Sequence, residues 1–440
     1  MKKPDILIIG GGLAGCEAAW QLAKKGFPVT LAEMKPQRFS PAHHSECLAE
    51  LVCSNSLKSE LLAGASGLLK AEMRRFDSLV LSVAEACRVP AGAALAVDRD
   101  EFAKEMTRRI ESLPGVTIKR EEVLKIPTDR PVIVATGPLT SDGLTASIEE
   151  LCGNRLAFFD AAAPIISAES INREIVFAAA RYDKGEADYL NCPFDQAQYE
   201  AFYEALITAE RAELHTFEKE QMRVYEGCMP VEVMAKRGKD TLRFGPLRPV
   251  GLRDPRTGHR PWACCQLRAE NKECTAYNLV GFQTNLKFGE QKRVFSMIPG
   301  LEQAEFLRYG VMHRNTFLDG PRLLNADFSL RTNPLIRFAG QMTGVEGYME
   351  SAASGLMAGL QLARFLEEKA PFVFPQETIM GALCRHISAS ESADYQPMGA
   401  AMGMLPPLTE RIKGKRERYA VLAQRSLDAL EKAIEQEMPL

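Results

Sequence analysis

The chain begins with two short apolar segments that are separated by a run of helix-forming residues. Residues 5–9 are apolar and β-branched after a polar first position, a pattern typical of a buried parallel strand. Residues 16–25 are mostly helix formers and stop at Gly26, and residues 28–32 form a second apolar strand that leads into Glu33. This alternation predicts a strand–helix–strand unit at the start of the chain.

A glycine-rich turn joins the first strand to the helix. Gly10 permits the tight turn off the strand, Gly12 leaves space for a pyrophosphate, and Gly15 lets the helix lie close to the sheet. The helix N-terminus presents unpaired N–H groups to the phosphates, and Glu33 can accept a hydrogen bond from a ribose hydroxyl. The segment therefore predicts a dinucleotide site. Its residues are Gly10, Gly11, Gly12, Leu13, Ala14, Gly15 and Glu33.

Two later segments repeat the pattern of a buried strand followed by glycine. Residues 130–137 end in Gly137, and residues 335–347 form a strand followed by a glycine-rich loop. The helix predicted after that loop, residues 348–365, is rich in small residues, so we expect it to pack closely on a neighbour. Its positive N-terminus would face a flavin ring. The cofactor residues predicted from these segments are Gly137, Gly340, Gln341 and Gly347.

The pattern of predicted elements changes after about residue 152, where short β-like runs alternate with helical segments. Such a mixture is typical of an α+β domain. Because strand-then-glycine segments occur on both sides of it, we expect it to interrupt the nucleotide-binding domain. The predicted fold is α/β. A Rossmann-like FAD-binding domain of the glutathione-reductase type (residues 1–152 and 326–440) is split by an inserted α+β domain (residues 153–325).

Charge and hydropathy limit the classes of function. The formal net charge of -3 excludes a globally basic nucleic-acid binder, although a local basic patch stays possible. No apolar run approaches the ~18 residues of a membrane span, and the N-terminus lacks a signal-type apolar segment. We therefore expect a soluble cytoplasmic protein with no membrane partner. The sequence leaves its oligomeric state open.

Two of the eleven cysteines stand in segments that favour chemistry. Cys53 lies in a polar loop with Lys58, surroundings of the kind that activate a thiol. Cys228 lies between Gly227 and Met229, just before a basic stretch. The spacing of the cysteines and histidines near Cys53 matches no common zinc site, so we expect no metal.

Two basic clusters are candidates for contact with RNA. The first follows Cys228 and contains Lys236 and Arg237, and the second contains Lys413, Lys415 and Arg416. Each cluster is either an ordinary solvated surface or a patch that neutralises phosphates. The sequence alone leaves both interpretations open.

Several motifs together resemble those of the folate- and FAD-dependent tRNA (uracil-5-)-methyltransferase family, nearly from end to end. The first and last motifs also resemble the wider glucose-inhibited-division type of tRNA wobble modifier, whereas the two cysteine motifs are specific. The motifs are residues 10–15, 51–56 (Leu-Val-Cys-Ser-Asn-Ser), 226–232 (Glu-Gly-Cys-Met-Pro-Val-Glu), 243–249, 313–316 and 339–348.

The resemblance implies methylation of the T-loop uridine of tRNA (position 54) to 5-methyluridine. Methylenetetrahydrofolate would donate the carbon, and FAD reduced by NAD(P)H would supply electrons. A thiolate must add at uracil C6 before C5 can react, and we assign this attack to Cys228 because it borders the basic stretch. Cys53 would act as general base or hold the methylene. His313 would stack on the folate pterin.

Two rival interpretations stay open at this point. A wobble-uridine modifier of the related type would share residues 339–348 but should have a longer helical C-terminal domain. A non-catalytic, flavin-stabilised RNA-binding protein would not need the two cysteine motifs.

Overall fold

The computed structural model describes residues 3–153, 156–161, 163–183, 187–212, 229–391, 395–410 and 412–438. Its strands are β1 (Ile6–Ile9), β2 (Val29–Glu33), β3 (Ser56–Ser59), β4 (Arg88–Val89), β5 (Ala94–Val97), β6 (Val116–Arg120), β7 (Val132–Val134), β8 (Leu156–Ala161), β9 (Ile165–Ser167), β10 (Phe177–Ala178), β11 (Tyr189–Phe194), β12 (Ala263–Ala269), β13 (Ala276–Leu279), β14 (Phe306–Arg308), β15 (Met312–Phe317), β16 (Ser329–Leu330) and β17 (Asn333–Phe338).

The helices complete the description of the elements. Within the described ranges, none of them is both long enough and apolar enough to span a membrane. They are α1 (Leu13–Lys24), α2 (Ala65–Arg74), α3 (Leu79–Ala86), α4 (Arg99–Glu111), α5 (Asp142–Cys152), α6 (Gln196–Thr208), α7 (Val231–Ala235), α8 (Thr241–Phe244), α9 (Phe288–Phe295), α10 (Gly320–Leu323), α11 (Tyr348–Leu366), α12 (Ile379–Ala389) and α13 (Lys415–Glu437).

The predicted strand–helix–strand unit is confirmed as β1, α1 and β2. Residues 6–9 of β1 pair in parallel with residues 29–32 of β2. The helix begins at Leu13, three residues earlier than predicted, because Gly12 already serves as its N-cap. Gly15 therefore belongs to the first turn of the helix, where it packs against Gly10 of the glycine-rich turn.

A six-stranded sheet in the order β16-β17-β7-β1-β2-β6 organises the two ends of the chain. Apart from the antiparallel edge pair β16–β17, its strands pair in parallel. Strands β1 and β7 are wholly buried, as expected of parallel strands covered on both faces. Since residues 336–338 of β17 pair with residues 132–134 of β7, the sheet needs both ends of the chain.

Helix α11 packs very closely on α1, which confirms the expectation raised by its small residues. A Cβ added at Gly355 would lie 2.1 Å from the carbonyl oxygen of Ala14, and one added at Gly359 would lie 2.9 Å from that of Ala18. Real side chains never approach a backbone so closely. The two helices can therefore touch only because glycine stands at both positions.

The middle of the chain forms a second sheet, in the order β10-β11-β12-β13-β9-β14. All its pairings are antiparallel. One face packs in a separate apolar core with residues of α6 and α9. The strands β8 and β15 pair with each other in a two-stranded ribbon between the two regions of the chain.

Two large buried clusters support the division into domains that we propose. One cluster contains residues from both ends of the chain, and the other lies within residues 166–304. Leu318 and Leu324 already pack in the first cluster. We therefore keep the first boundary near residue 152 and place the second a few residues before 326.

Candidate functional site

The glycine-rich turn is closed towards the protein and open on its outer side. Gly10 has φ +103°, and a Cβ there would lie 2.6 Å from the carbonyl oxygen of Ala135. A Cβ at Gly15 would lie 1.9 Å from the carbonyl oxygen of Gly10. By contrast, no atom in the described part of the chain lies within 4 Å of a Cβ added at Gly12. The open side coincides with the N-terminus of α1, which no side chain caps.

Glu33 at the end of β2 ties this turn to the following loop. Its carboxylate accepts hydrogen bonds from the backbone N–H of Gly11 at 2.8 Å and of Lys35 at 3.0 Å. A carboxylate can accept about four hydrogen bonds, so with respect to the described residues two of its lone pairs are available to a ligand. The side chain also lines the cleft above the turn.

A cleft runs along the carboxyl ends of β1, β2 and β7, where parallel α/β sheets bind nucleotides. Nine of the eleven predicted cofactor residues line it. Gly15 does not, because it packs beneath the turn. Gly347, with φ +118°, precedes the lining residue Tyr348. The lining residues that were predicted are Gly10, Gly11, Gly12, Leu13, Ala14, Glu33, Gly137, Gly340 and Gln341.

The open space at Gly12, the uncapped helix and the free lone pairs of Glu33 fit the pyrophosphate and ribose of FAD. The positive φ of +81° at Gly340 turns the chain towards the same cleft. Sequence reasoning missed other lining residues, among them His43, Glu50 and Tyr348. Each had a signal in its position along the chain: His43 and Glu50 lie in the polar loop that follows the second strand, and Tyr348 follows directly on the last glycine of the second loop.

The loop that carries Cys53 borders the cleft, since Val52 belongs to the lining. Cys53 is partly exposed, and its backbone N–H donates a hydrogen bond to Tyr348 Oη at 2.7 Å. Tyr348 is the first residue of α11. Burial raises its pKa above the usual range, so the phenol keeps its proton. Helix α11 thus positions both the cleft and the Cys53 loop.

Three arginines hold the Cys53 loop by its oxygen atoms. Arg99, from α4, donates to the carbonyl oxygens of Leu51 at 2.6 Å and Cys53 at 3.3 Å. Arg308, from β14, donates to the carbonyl oxygen of Val52 at 2.6 Å. The third, Arg268 of β12, donates to Ser54 Oγ at 2.8 Å and Asn55 Oδ1 at 2.9 Å.

Two of these arginines come from one polar face of the second sheet. Arg268 pairs with Asn278, and Asn278 pairs with Ile165. A register irregularity between Phe306 and Arg308 brings Arg308 opposite Ile165 as well, so the four residues form a row across four strands. Glu270 follows two positions after Arg268 and makes an ion pair with Arg99 at 2.7 Å. The polar face of the inserted sheet therefore lies over the Cys53 loop.

Four cysteines away from the cleft have little contact with solvent: Cys16, Cys87 and Cys384 are buried, and Cys152 is partly buried. Burial raises the pKa of Cys152 to about 11 and that of Cys384 to about 12, and it raises the pKa of Cys16 and Cys87 as well. Such thiols stay protonated at neutral pH and act as small apolar groups. No cluster of three or more potential metal ligands occurs among the residues that the structure describes.

The remaining predicted residues lie in several places. Cys228 lies outside the described residues. The backbone of His313 is in β15, opposite Asp160 of β8. The basic residues Lys236 and Arg237 are exposed just after α7, in the inserted region. Lys413, Lys415 and Arg416 are exposed at the start of α13.

Comparison with known proteins relates the whole chain to one family. The family model described as "Glucose inhibited division protein A" matches residues 5–370. The chain is 57% identical over 428 residues to "Methylenetetrahydrofolate--tRNA-(uracil-5-)-methyltransferase TrmFO" of Heliobacterium modesticaldum, with 97% of each chain covered. The protein of the same name from Halalkalibacterium halodurans is 54% identical over 432 residues, covering 98% of this chain and 99% of the relative.

A solved structure agrees with the architecture. GidA of Aquifex aeolicus, in its form II crystal, superposes with a TM-score of 0.69 at 15% identity and covers 99% of this chain and 76% of its own. At this identity the likeness concerns the fold, and it confirms the predicted class of a Rossmann-like FAD-binding domain with an insertion.

Proposed function

Because the chain belongs to the methylenetetrahydrofolate--tRNA-(uracil-5-)-methyltransferase family, we propose that the Cys53 loop and the Cys228 segment divide its chemistry between them. The protein is a folate-dependent enzyme that methylates C5 of uracil in tRNA, with FAD as cofactor. The observation that carries the proposal is the position of Cys53 between the nucleotide cleft and the polar face of the inserted sheet. The wobble-modifier alternative is not favoured, because the relatives match over nearly their whole length.

We assign the cleft residues to parts of FAD by their chemistry. Gly12 and the N-terminus of α1 would hold the pyrophosphate, and Glu33 would accept from a ribose hydroxyl. Gly340 and Gln341 would border the ring. When bound, FAD supplies the electrons that turn the transferred methylene into a methyl group.

The two thiols have different tasks in this proposal. Uracil C5 is a poor nucleophile until a thiolate adds at C6 and converts the ring to an enolate. We assign that attack to Cys228, which precedes the exposed cations Lys236 and Arg237. Cys53, one residue from the cleft lining, would remove the C5 proton or hold the methylene. His313 would stack on the folate pterin.

The target and the reductant complete the proposal. We propose that the uridine is the one at position 54 in the T-loop, and that NADH or NADPH reduces the cofactor. The sequence has no second dinucleotide fingerprint, which supports a reductant that binds only transiently. Since the substrate is tRNA, we propose that the enzyme works in the cytoplasm.

An assay with defined substrates tests this proposal. Unmodified tRNA incubated with enzyme, methylenetetrahydrofolate and NADPH should acquire one 5-methyluridine, which mass spectrometry of nuclease fragments assigns to position 54. Omission of either small molecule should abolish the product, and a transcript with cytidine at position 54 is the matched control. Methylation elsewhere, or product without a folate donor, would refute the assignment.

The two exposed basic clusters should contribute to tRNA binding through phosphate neutralisation. Charge reversal of Lys413, Lys415 and Arg416, or of Lys236 and Arg237, should weaken tRNA affinity and make the slope of log K against log salt shallower by about one per lost phosphate contact. Filter binding between 50 and 200 mM salt measures both quantities. Unchanged slopes in both variants would mean that the clusters are ordinary solvated surface.

A further inference from the structure

The described side chains that bind the Cys53 loop from outside carry more positive than negative charge. Three guanidinium groups bind its oxygen atoms, from Arg99, Arg268 and Arg308. Within the described ranges, the one carboxylate paired with any of them is that of Glu270, which binds Arg99. Three positive charges minus one negative charge leave an excess of two.

Burial makes this excess costly. Arg268 and Glu270 are almost completely buried. Desolvation, together with the neighbouring Arg99, lowers the pKa of Arg308. Charged groups removed from water normally need a partner of opposite charge. An arginine that approaches the loop without a carboxylate of its own therefore favours a negative charge nearby.

Among the residues that the structure describes, the charged and phenolic groups held against the Cys53 loop come from four elements. Arg99 lies on α4, Arg268 and Glu270 on β12, and Arg308 on β14, while Tyr348 begins α11. The phenol is neutral and Glu270 is already paired. None of these groups supplies a further negative charge. A thiol ionises at a lower pH than a phenol, so the Cys53 thiolate is the anion that can balance the excess.

We propose that Arg308 is a positioning residue that keeps Cys53 in its thiolate form. This rests on the proposed role of Cys53, because both a general base and a holder of the methylene need the thiolate. Arg308 belongs to the inserted domain, whereas Cys53 belongs to the nucleotide-binding domain. Docking of β14 over the loop would thus favour the thiolate, and displacement of the inserted sheet would return Cys53 to its less reactive thiol form.

The test measures the reactivity of Cys53 without any substrate. The full-length flavoprotein is treated with iodoacetamide at pH 5–10, and peptide mass spectrometry gives the rate of alkylation at Cys53. In the wild type, half-maximal reactivity should fall at least about one pH unit below the ~8.5 of a free thiol. Arg308→Gln should raise this midpoint by about one unit and slow alkylation at pH 7 about tenfold. Arg308→Lys should restore part of the shift.

Three controls make the outcome decisive. Cys47, also partly exposed, gives an internal rate that should not change, and bound flavin and circular dichroism report the folding of each variant. If Arg308→Gln does not fold, the wild-type midpoint and Arg308→Lys still decide, because an ordinary midpoint near 8.5 overturns the proposal. A folded Arg308→Gln variant with an unchanged profile also overturns it. If that variant keeps the wild-type alkylation profile but loses tRNA affinity, the proposal is overturned and Arg308 binds an RNA phosphate. Because alkylation needs no turnover, an error in the methylation scheme leaves this result readable.

Discussion

A Cys228→Ser enzyme is expected to lose at least about 10³-fold in methylation rate and to form no covalent adduct with tRNA that carries 5-fluorouridine at the target. The physical reason is that a hydroxyl cannot supply the thiolate that adds at C6. In the fluorinated substrate, fluorine replaces the proton that must leave C5, so the wild-type adduct is trapped. Gel electrophoresis of protein and labelled tRNA under denaturing conditions detects it.

The matched variant Cys53→Ser separates the roles of the two thiols. This variant should lose turnover to a similar degree. It should still form the adduct in those enzyme molecules in which the methylene reaches the flavin, because the proposed task of Cys53 concerns the proton or the methylene and not the attack at C6. Both variants should retain FAD, since neither cysteine lies in the glycine-rich turn. An adduct that persists in the Cys228 variant and disappears in the Cys53 variant would exchange the two assignments.

A pair of alanine substitutions in the glycine-rich turn should separate cofactor binding from folding. Gly12→Ala should fold normally, because nothing in the described structure lies within 4 Å of the added Cβ. It should nevertheless weaken FAD binding about 10- to 100-fold, because the added methyl group occupies the space of the pyrophosphate and pushes the phosphate away from the backbone N–H groups, and a lost hydrogen bond to a charged group costs about 1.5–3 kcal/mol. Fluorescence titration of the apoprotein with FAD measures the affinity.

Gly15→Ala should fail differently. Its Cβ would lie 1.9 Å from the carbonyl oxygen of Gly10, so the turn must move, and overpacking of this kind costs about 1–3 kcal/mol of unfolding free energy. Thermal unfolding of the apoprotein should therefore distinguish it from Gly12→Ala. Gly289→Ala, at an open position in α9, is the matched control. If Gly12→Ala bound FAD as the wild type does, the pyrophosphate would lie elsewhere.

Local patterns predicted the nucleotide-binding elements well because their causes are local. The helix predicted at residues 348–365 is Tyr348–Leu366, and the strand predicted at residues 28–32 is Val29–Glu33. Hydrophobic runs, glycines and small residues determine both strand burial and the closeness of α1 to α11. The same reasoning identified nine residues of the cleft by position.

The surroundings of Cys53 could not be predicted in this way. Arg99, Arg268 and Arg308 are far apart in the sequence, and each looks like an ordinary surface charge. They converge because the register of β12, β13, β9 and β14 aligns two of them on one face, and because that face meets the loop. A register set by tertiary packing leaves no signal in a single sequence.

The pairing of β17 with β7 has a consequence for synthesis on the ribosome. A nascent chain that ends before residue 333 leaves the edge of β7 open and lacks Gly340, which borders the cofactor cleft. The inserted domain, whose core lies within residues 166–304, emerges before β17 and can condense while the surrounding sheet is incomplete. Until β17 is synthesised, the open edge of β7 can pair with another chain, so the insertion lengthens the time for which that edge is exposed during synthesis.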